Sequence, residues 1–306
     1  MAMYRPNMKW LQEELISIQQ QTFKAFKVLV WNDDPTDKYP YQHFFSRYLQ
    51  EIPFEIFHAP CNLGSNKAFE KLTTLTNTPY IAYCDQDDIW LPEKLSRLLQ
   101  LMQSKDSILA CSDMYVIDKD SNVISDSITK VRRRQVIYDE SEMLPHLLAK
   151  NFITGCTLMM RTDIAQKAIP FPDVCFHDWW LAAFAALSGR ISIADKPLMK
   201  YRIYEGNQSK PLSGIHSKNE YFEKYILGYG HFIELLAQHF DNTKHLQSHR
   251  EWGKYRIRYF QKKKWRDALY LWRHRSFAPE TTWFELIIPF IPSLLFSIII
   301  KKIQSA

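Results

Sequence analysis

Glycine is scarce in this chain, at 8 of 306 residues, and no glycine- or serine-rich linker, internal repeat or low-complexity tract divides it. The five cysteines include no CxxC pair, which argues against a structural zinc site. Their odd number and mostly apolar surroundings exclude a disulfide framework and indicate reduced thiols in the cytoplasm. The start, MAMYRPNMKW, lacks the apolar core of a signal peptide. With 46% hydrophobic and 24% charged residues, the composition predicts a globular protein with one sizeable core.

Membrane-spanning runs are also missing. The segment LIIPFIPSLLFSIII (286–300) contains two prolines and is shorter than the ~20 residues that a spanning helix needs. It follows a basic segment, 250–275, in which ten lysines or arginines and two acids are interleaved with Trp and Tyr. This pattern favours an anchor on a membrane surface, with helices packed on the main domain or a nucleic-acid face as alternatives. We expect a cytoplasmic protein peripherally associated with the inner face of the cell membrane.

Strands and helices alternate along the first part of the chain. A helix is predicted over 8–22, capped by Asn7, and another begins at Pro92. Short apolar runs predict strands at 28–31, 54–58, 80–84, 108–111 and 114–118. In the second half we expect a strand within 151–160, a buried helix over 176–189, and two strands joined by a turn within 191–209. The alternation predicts an α/β fold with a mostly parallel sheet flanked by helices.

Polar clusters follow three of the predicted strands, at Asn32–Asp34, Cys61–Gly64 and Asp85–Asp88. In open sheets of this class, ligands bind beyond the carboxyl ends of the strands. We therefore expect the functional site at the edge of the sheet where these clusters meet.

The stretch YIAYCDQDDIWLPEK (80–94) has three acids directly behind a buried strand. Carboxylates this close repel one another unless a cation or a polar ligand lies between them. Asp85 and Asp87, two apart on an extended end, point to the same side and can share one divalent ion. Oxygen ligands suit Mg²⁺ or Mn²⁺, which takes further ligands from substrate phosphates. The alternative is a solvated turn whose acids stabilise a helix start.

Two further stretches offer groups that could contact a nucleotide. In NDDPTD (32–37), Asp33 and Asp34 can accept hydrogen bonds from a base or a ribose hydroxyl, although such residues are also usual in plain turns. Arg202, in YRIYEGNQS, could clamp a pyrophosphate with its planar fork, and Lys67 is a lesser candidate for the same task. For Arg202, simple surface exposure is the alternative.

An acid at 178 lies between His177 and two tryptophans, in HDWW. A partly dry setting raises the pKa of a carboxyl group toward the range of a general base. Trp179 and Trp180 are predicted to form a wall on which an acceptor sugar stacks. The alternative is an acid that only favours the start of its helix.

Taken in order, seven segments resemble the family-two inverting glycosyltransferases, which bind nucleotide sugars with the Rossmann-like GT-A fold. They are MAMYRP, NDDPTD, NLGSNKAFE, YCDQDDIWLPEKL, NFITGC, HDWW and YRIYEGNQS. DQDDIWLPEKL with ITGC and HDWW looks like bacterial polysaccharide rhamnosyltransferases. The resemblance covers 1–215, and leaves 216–275 as a basic helical extension and 276–306 as an apolar, membrane-associating tail. It also implies a truncated first strand, which would expose the edge of its neighbour.

The resemblance implies a role for individual residues. Tyr4 would stack on the nucleobase, and Asp33 or Asp34 would hold the base or ribose. Asp85 would face the ribose and diphosphate, and Asp87 would ligate the metal. Gly155 would line the sugar pocket, and Asp178 would deprotonate the acceptor hydroxyl.

The implied activity is hexosyl transfer with inversion, such as L-rhamnose from dTDP-rhamnose, or a sugar from a UDP-sugar. The acceptor would be a cell-surface polysaccharide or a glycan on a polyprenyl diphosphate. Two alternatives belong to other classes. One is a catalytically inactive relative that binds nucleotide-sugar or partner transferases as a scaffold, and the other is a Mg²⁺-dependent phosphohydrolase. The phosphohydrolase lacks a nucleophile or second acidic cluster with suitable spacing.

Overall fold

The computed structural model describes residues 1–132, 136–138, 143–204, 212–240 and 243–304. Its packing separates two units, one of Met1–Met143 with Asn151–Tyr204 and one of Leu144–Lys150 with Glu205–Ala306. The predicted domain boundary after 215 falls inside the second unit. The further division after 275 stays a prediction.

The strands of the described residues all lie in the first unit. They are β1 (Ala2–Met3), β2 (Val28–Asn32), β3 (Phe54–His58), β4 (Tyr80–Ala82), β5 (Ile89–Trp90), β6 (Leu109–Cys111), β7 (Tyr115–Ile117), β8 (Val123–Ser125), β9 (Met159–Arg161), β10 (Ile191–Ile193) and β11 (Met199–Arg202). They form sheets in the orders β1-β2-β3, β10-β6-β9-β4 and β5-β11-β7-β8. The first sheet is parallel, as are the pairs β6–β10 and β7–β11, while β9, β5 and β8 add antiparallel pairs. The α/β prediction is confirmed.

The helices follow in chain order. They are α1 (Met8–Gln19), α2 (Tyr41–Tyr48), α3 (Ser65–Leu75), α4 (Lys94–Lys105), α5 (Ile128–Val131), α6 (Met143–Ala149), α7 (Thr162–Lys167), α8 (His177–Ser188), α9 (Lys218–Tyr221), α10 (Gly228–His239), α11 (Lys244–Lys262), α12 (Trp265–Arg273), α13 (Pro279–Ile287) and α14 (Ser293–Gln304). Asn7 caps α1 as predicted, because its side chain accepts from the amides of Lys9 and Trp10. Leu11, Leu15 and Ile18 of α1 are buried in the core of this unit, so the helical period located the buried face correctly.

The first strand is short, but it still covers the edge of β2. Ala2 and Met3 pair in parallel with Trp31 and Asn32, and the Met1 amine donates to the Leu29 carbonyl at 2.7 Å. The amide of Asp33 donates to the carbonyl of Met3. The expected exposure of the neighbouring edge is therefore wrong, since three residues suffice to pair with it.

The prediction for 151–160 is only partly right. The strand β9 is limited to Met159–Arg161, and a 3₁₀ turn, Gly155–Thr157, precedes it. The prediction for 176–189 is confirmed by α8, and β10 and β11 match the two strands expected within 191–209. The extended run was misread because the amides of Thr157 and Leu158 donate to carbonyls of the local turn instead of a neighbouring strand.

In the second unit, an apolar cluster includes Ile215, Tyr221, Ile288, Phe296 and Ile300. A π-helical turn, Phe222–Leu227, joins α9 to α10, and a 3₁₀ turn, Ile288–Phe290, follows α13. Among the helices of the described residues, none is both long and apolar enough to cross a bilayer.

Candidate active site

The loop after β4 is tied to the chain after β1. The amide of Tyr4 donates to Gln86 Oε1 at 2.9 Å, and Gln86 Nε2 donates back to the Tyr4 carbonyl at 3.1 Å. These two bonds use the one uncharged side chain of DQDD. They leave the Tyr4 ring 43% exposed, with the guanidinium of Arg5 5.1 Å from its centroid.

Three side chains with possible metal ligands converge below this loop. Asp85, Asp88 and Cys156 each offer an atom within 4.8 Å of the others. Burial, followed by the charges of Asp87 and Asp178, raises the pKa of Asp85 to about 7. Burial and then the charge of Asp87 raise the pKa of Asp88 well above its usual range. The acids thus destabilise one another's charged forms, as the sequence predicted.

The donor set fits a hard divalent cation. Asp88 Oδ2 is buried without a hydrogen-bond partner within the described ranges, and Asp85 is half-buried. Burial and then the charge of Asp88 raise the pKa of the Cys156 thiol well above its usual range, so it stays protonated and is a poor ligand for Mg²⁺ or Mn²⁺. The carboxylate oxygens are therefore the groups that suit the ion.

Asp87, predicted as a metal ligand, faces a different partner. The Tyr204 hydroxyl donates to Asp87 Oδ2 at 2.7 Å, and Tyr204 packs on Trp10 with ring centroids 4.7 Å apart. Burial raises the pKa of Asp87. Its role at the metal stays a prediction, and Asp88, which sequence reasoning did not assign, joins Asp85 in the cluster.

Arg202 is not a pyrophosphate clamp. Its side chain is fully buried, and its donors reach the carbonyls of Asp87 and Asp118 and the Glu13 carboxylate, the last at 2.7 Å. Its own amide donates to Asp88 Oδ1 at 3.0 Å. The sequence prediction was wrong because Arg202 lies on a strand that pairs with β5 and β7, where its guanidinium is buried and bonds to the DQDD loop.

We expect Arg202→Met to lower the free energy of unfolding by about 3–5 kcal/mol, because it leaves the buried partners of the guanidinium without a donor. Urea denaturation measures the change. Arg161→Met is the matched control, since Arg161 pairs with Asp163 at the surface and such pairs contribute about 0–1 kcal/mol. An unchanged unfolding curve for Arg202→Met, together with weakened binding of a nucleoside diphosphate, would support Arg202 as a pyrophosphate clamp after all.

Asp178 is held by three donors at the start of α8. Its Oδ1 accepts from the Trp179 amide at 2.6 Å and from Asn151 Nδ2 at 3.1 Å, while Oδ2 accepts from the Gly155 amide at 3.3 Å. Burial raises the pKa of Asp178 to about 6, against the lowering effect of these backbone bonds. A half-buried carboxylate of this kind is ionised at neutral pH and basic enough to accept a proton.

Gly155 fits closely against the residue before Asp178. A Cβ built on Gly155 would lie 2.7 Å from His177 Nε2. The His177 ring cannot easily move, because it is buried and packs on Phe69 with centroids 4.2 Å apart. Burial lowers the pKa of His177 to about 3, so the ring is neutral and is a spacer for the turn that holds Asp178.

The two tryptophans of HDWW differ in their surroundings. Trp180 is 1% exposed, and its indole N–H donates to the Ala168 carbonyl at 2.6 Å. The prediction that it contacts an acceptor is wrong, because adjacent residues of a helix point about 100° apart and Trp180 faces the core. Trp179 is half-buried, and its acceptor role stays a prediction.

The other predicted donor-binding residues already have protein partners. Asp33 is buried and accepts from the amides of Leu63 and Gly64, the latter at 2.8 Å. Asp34 accepts from Thr36 and from Arg5, and these bonds lower the pKa of its carboxyl group to about 2. The contacts of Asp33 hold the end of β2 to the loop before α3, and the bond of Asp34 with Arg5 holds it to the segment after β1.

Lys67 is likewise engaged. Its ammonium donates to Glu70 and to the Phe171 carbonyl, both at 2.9 Å. The nucleotide-binding roles of Lys67, Asp33 and Asp34 are untested by these contacts and stay predictions.

Sequence reasoning missed Asn151, Asp88, Cys156 and Tyr204. All four lie within segments singled out from the sequence. Asp88 and Cys156 also neighbour predicted site residues, which was an available signal. The contacts of Asn151 with Asp178 and of Tyr204 with Asp87 join segments far apart in the chain, and no local pattern indicates them.

Comparisons with known proteins identify the family. Residues 4–168, more than half of the chain, match the model of glycosyl transferase family 2. An uncharacterised glycosyltransferase of Methanocaldococcus jannaschii is 26% identical over 251 residues, which cover 80% of this chain and 79% of the relative. The dTDP-rhamnosyl transferase RfbG of Shigella flexneri is 26% identical over 216 residues, 65% of this chain and 70% of RfbG.

Among solved structures, S. aureus TarS in complex with UDP-GlcNAc aligns with a TM-score of 0.59 and 18% identity, covering 85% of this chain and 72% of that one. This likeness shows the GT-A fold. The family match shows the activity class, and the protein therefore belongs to glycosyl transferase family 2 and is a glycosyltransferase.

Proposed function

We propose that the protein is a metal-dependent, inverting glycosyltransferase that moves L-rhamnose from dTDP-rhamnose to a hydroxyl of a cell-surface polysaccharide or lipid-linked glycan. The observation that carries the proposal is the pairing of an acidic cluster at Asp85 with a separate carboxylate, Asp178, that three donors hold in place. The charge of Asp178 contributes to the raised pKa of Asp85, which places the two groups within electrostatic reach.

Asp178 is the general base in this mechanism. Its carboxylate accepts the proton of the acceptor hydroxyl as the oxygen attacks the anomeric carbon, and the bond to the diphosphate breaks in the same displacement. Asn151 and the Gly155 amide hold the carboxylate in one orientation. A single displacement from the side opposite the leaving group inverts the anomeric centre.

Asp85 and Asp87 would hold the metal, and Asp88 lies in the same cluster as Asp85. When bound, a Mg²⁺ or Mn²⁺ ion supplies positive charge to the departing diphosphate. The hydrogen bonds from the Arg202 amide to Asp88 and from the Tyr204 hydroxyl to Asp87 keep these acids in position.

The donor is proposed from the similarity to RfbG and from the groups beyond the strand ends. Tyr4 stacks on the base, Asp33 or Asp34 holds the base or ribose, Lys67 contacts the diphosphate, and Gly155 lines the sugar pocket. A UDP-sugar is the competing donor. Trp179 contacts the acceptor, a glycan carried on a polyprenyl diphosphate at the inner membrane surface. The enzyme is peripherally associated with that surface.

The inactive scaffold relative is less well supported. Its argument was the missing first strand, and the pairing of Met1–Met3 with β2 removes that argument. The acids at 85, 87 and 178 would have no role in a catalytically inactive protein.

Thermal shift with dTDP, UDP, GDP and CDP, each with and without Mn²⁺, tests the proposal. Because a ligand of the folded state stabilises it by about 2.7 kcal/mol at a hundredfold excess over Kd, we expect a Tm increase with dTDP that requires Mn²⁺. A larger Tm increase with UDP would indicate a UDP-sugar as the donor instead. An equal Tm increase without Mn²⁺ would contradict metal dependence. No Tm increase with any nucleotide would favour an inactive scaffold that binds partner transferases.

A further inference from the structure

The helices after residue 262 have an unusual distribution of polar and apolar side chains. In α13, Glu285 is buried, whereas Trp283 is 53% exposed and Ile287 is exposed to a similar extent. In α12, Asp267 is buried, whereas Trp265 is 70% exposed and Trp272, on the same face seven residues later, is exposed as well. A surface helix of a soluble protein normally has the opposite arrangement.

The buried acids have arginine partners on α11. Arg256 pairs with Glu285 inside the second unit, and Arg258 Nη2 lies 2.9 Å from Asp267 Oδ1. Within 262–304, which the structure describes throughout, Glu280 is the one acid left exposed. The exposed cations of the same range are Lys262, Lys263, Lys264, Arg266, Arg273, Arg275, Lys301 and Lys302. Pairing the acids internally thus gives these helices a strongly positive outer surface.

The last helix is apolar on both faces. Phe296 and Ile300 of α14 are buried in the cluster of the second unit, while Leu294 is 78% exposed and Ile298, four residues later, is also exposed. Lys301 and Lys302 follow in the final turn. An apolar outer face that ends in lysines is typical of helices that lie in the interface of a bilayer.

We propose that α12–α14 bind the surface of an anionic lipid bilayer, with an apolar set that enters the interface. The set is Trp265, Trp272, Trp283, Ile287, Phe290, Leu294, Leu295 and Ile298. This inference rests on the proposed lipid-linked acceptor and names the surface that would bring the enzyme to it.

Charge decides between a bilayer and a second copy of this chain. Eight exposed cations against one exposed acid would repel an identical surface, whereas they complement anionic phospholipids, each contributing about 1 kcal/mol near the membrane. Since no helix among the described residues is both long and apolar enough to span a bilayer, the helices would lie along its plane.

Vesicle flotation of the full chain tests this inference. We expect binding to vesicles of phosphatidylcholine with phosphatidylglycerol, and little binding to phosphatidylcholine alone. The double variant Leu294→Ser with Ile298→Ser should lower the partition coefficient between vesicles and water by about tenfold, because two apolar side chains no longer enter the interface. Val123→Ser with Ile124→Ser, which changes two exposed apolar residues of β8, is the matched control and should bind as the wild type does.

Three outcomes would overturn the inference: equal binding to both vesicle types, unchanged binding of the α14 double variant, or a wild-type dimer that this variant converts to a monomer. The last outcome would show that a second copy of this chain, and not a bilayer, covers the apolar set. Nucleotide thermal shift on the same α14 variant separates this test from the proposed activity. Normal nucleotide binding with lost flotation of this variant supports the surface. A wild-type chain that floats but binds no nucleotide contradicts the proposed activity alone.

Discussion

Asp178→Asn is expected to reduce sugar transfer by about 10²–10⁴-fold while nucleotide binding stays unchanged. The amide has nearly the same shape and can still accept from Gly155 or Trp179, but it cannot take a proton from the acceptor. Turnover with dTDP-rhamnose and isothermal titration with dTDP measure the two effects. Asp173→Asn, an exposed acid five residues earlier, is the control and should transfer normally.

Stability separates lost chemistry from lost folding in this variant. Burial raises the pKa of Asp178 to about 6, above its usual value of 3.8, so the charged form destabilises the folded state at higher pH. The Asn variant should therefore have an equal or higher Tm than the wild type above pH 6, with the difference disappearing as the pH falls below that value.

The pH profile tests the same carboxylate. Because the base acts only when deprotonated, kcat/KM for the acceptor should fall about tenfold per pH unit below about 6 and be flat above it. Residual activity of the Asn variant should lack this inflection. Transfer by Asp178→Asn at the wild-type rate would show that another group is the base.

Asp87→Ala is expected to abolish the Mn²⁺-dependent part of nucleotide binding and to lower transfer by at least about 10²-fold, because the ion's stabilisation of the leaving diphosphate amounts to several kcal/mol. Titration of dTDP with and without Mn²⁺ measures the first effect. Tyr204→Phe is the matched control: it removes the hydrogen bond to Asp87 Oδ2 but keeps the carboxylate, so Mn²⁺ dependence should persist.

Asp88→Asn resolves which acids hold the ion. Its side-chain oxygen can still accept from the Arg202 amide, so the loop should keep its conformation. If Asp88→Asn loses Mn²⁺ dependence while Asp87→Ala retains it, the ligands are Asp85 and Asp88, and the assignment to Asp87 is wrong.

The fold could be predicted largely from local patterns, because its buried strands and helices have clear apolar runs and caps. Asn7 at the start of α1 and the run 54–58 in β3 are examples. The site was predicted as far as strand ends and helix starts locate side chains, which covers Asp85 and Asp178. The prediction failed where the direction of a side chain depends on contacts with segments far away in the sequence.

Arg202 and Trp180 show this limit. Both residue types are common in ligand sites, and nothing next to them in the sequence reveals that Arg202 contacts Glu13, or that Trp180 contacts Ala168. The antiparallel insertion of β9 between β4 and β6 was hidden for the same reason, since strand pairing is a contact between segments far apart in the chain.

The close fit of Gly155 against His177 limits how the enzyme could be redesigned. A side chain at 155 would have to displace an imidazole that is enclosed by Phe69 and Tyr83, and the shift would pass directly to Asp178, the proposed base. Libraries aimed at a different donor or acceptor should therefore keep glycine at this position. Variation belongs on side chains such as Trp179, whose replacement leaves the backbone amide that holds the carboxylate in place.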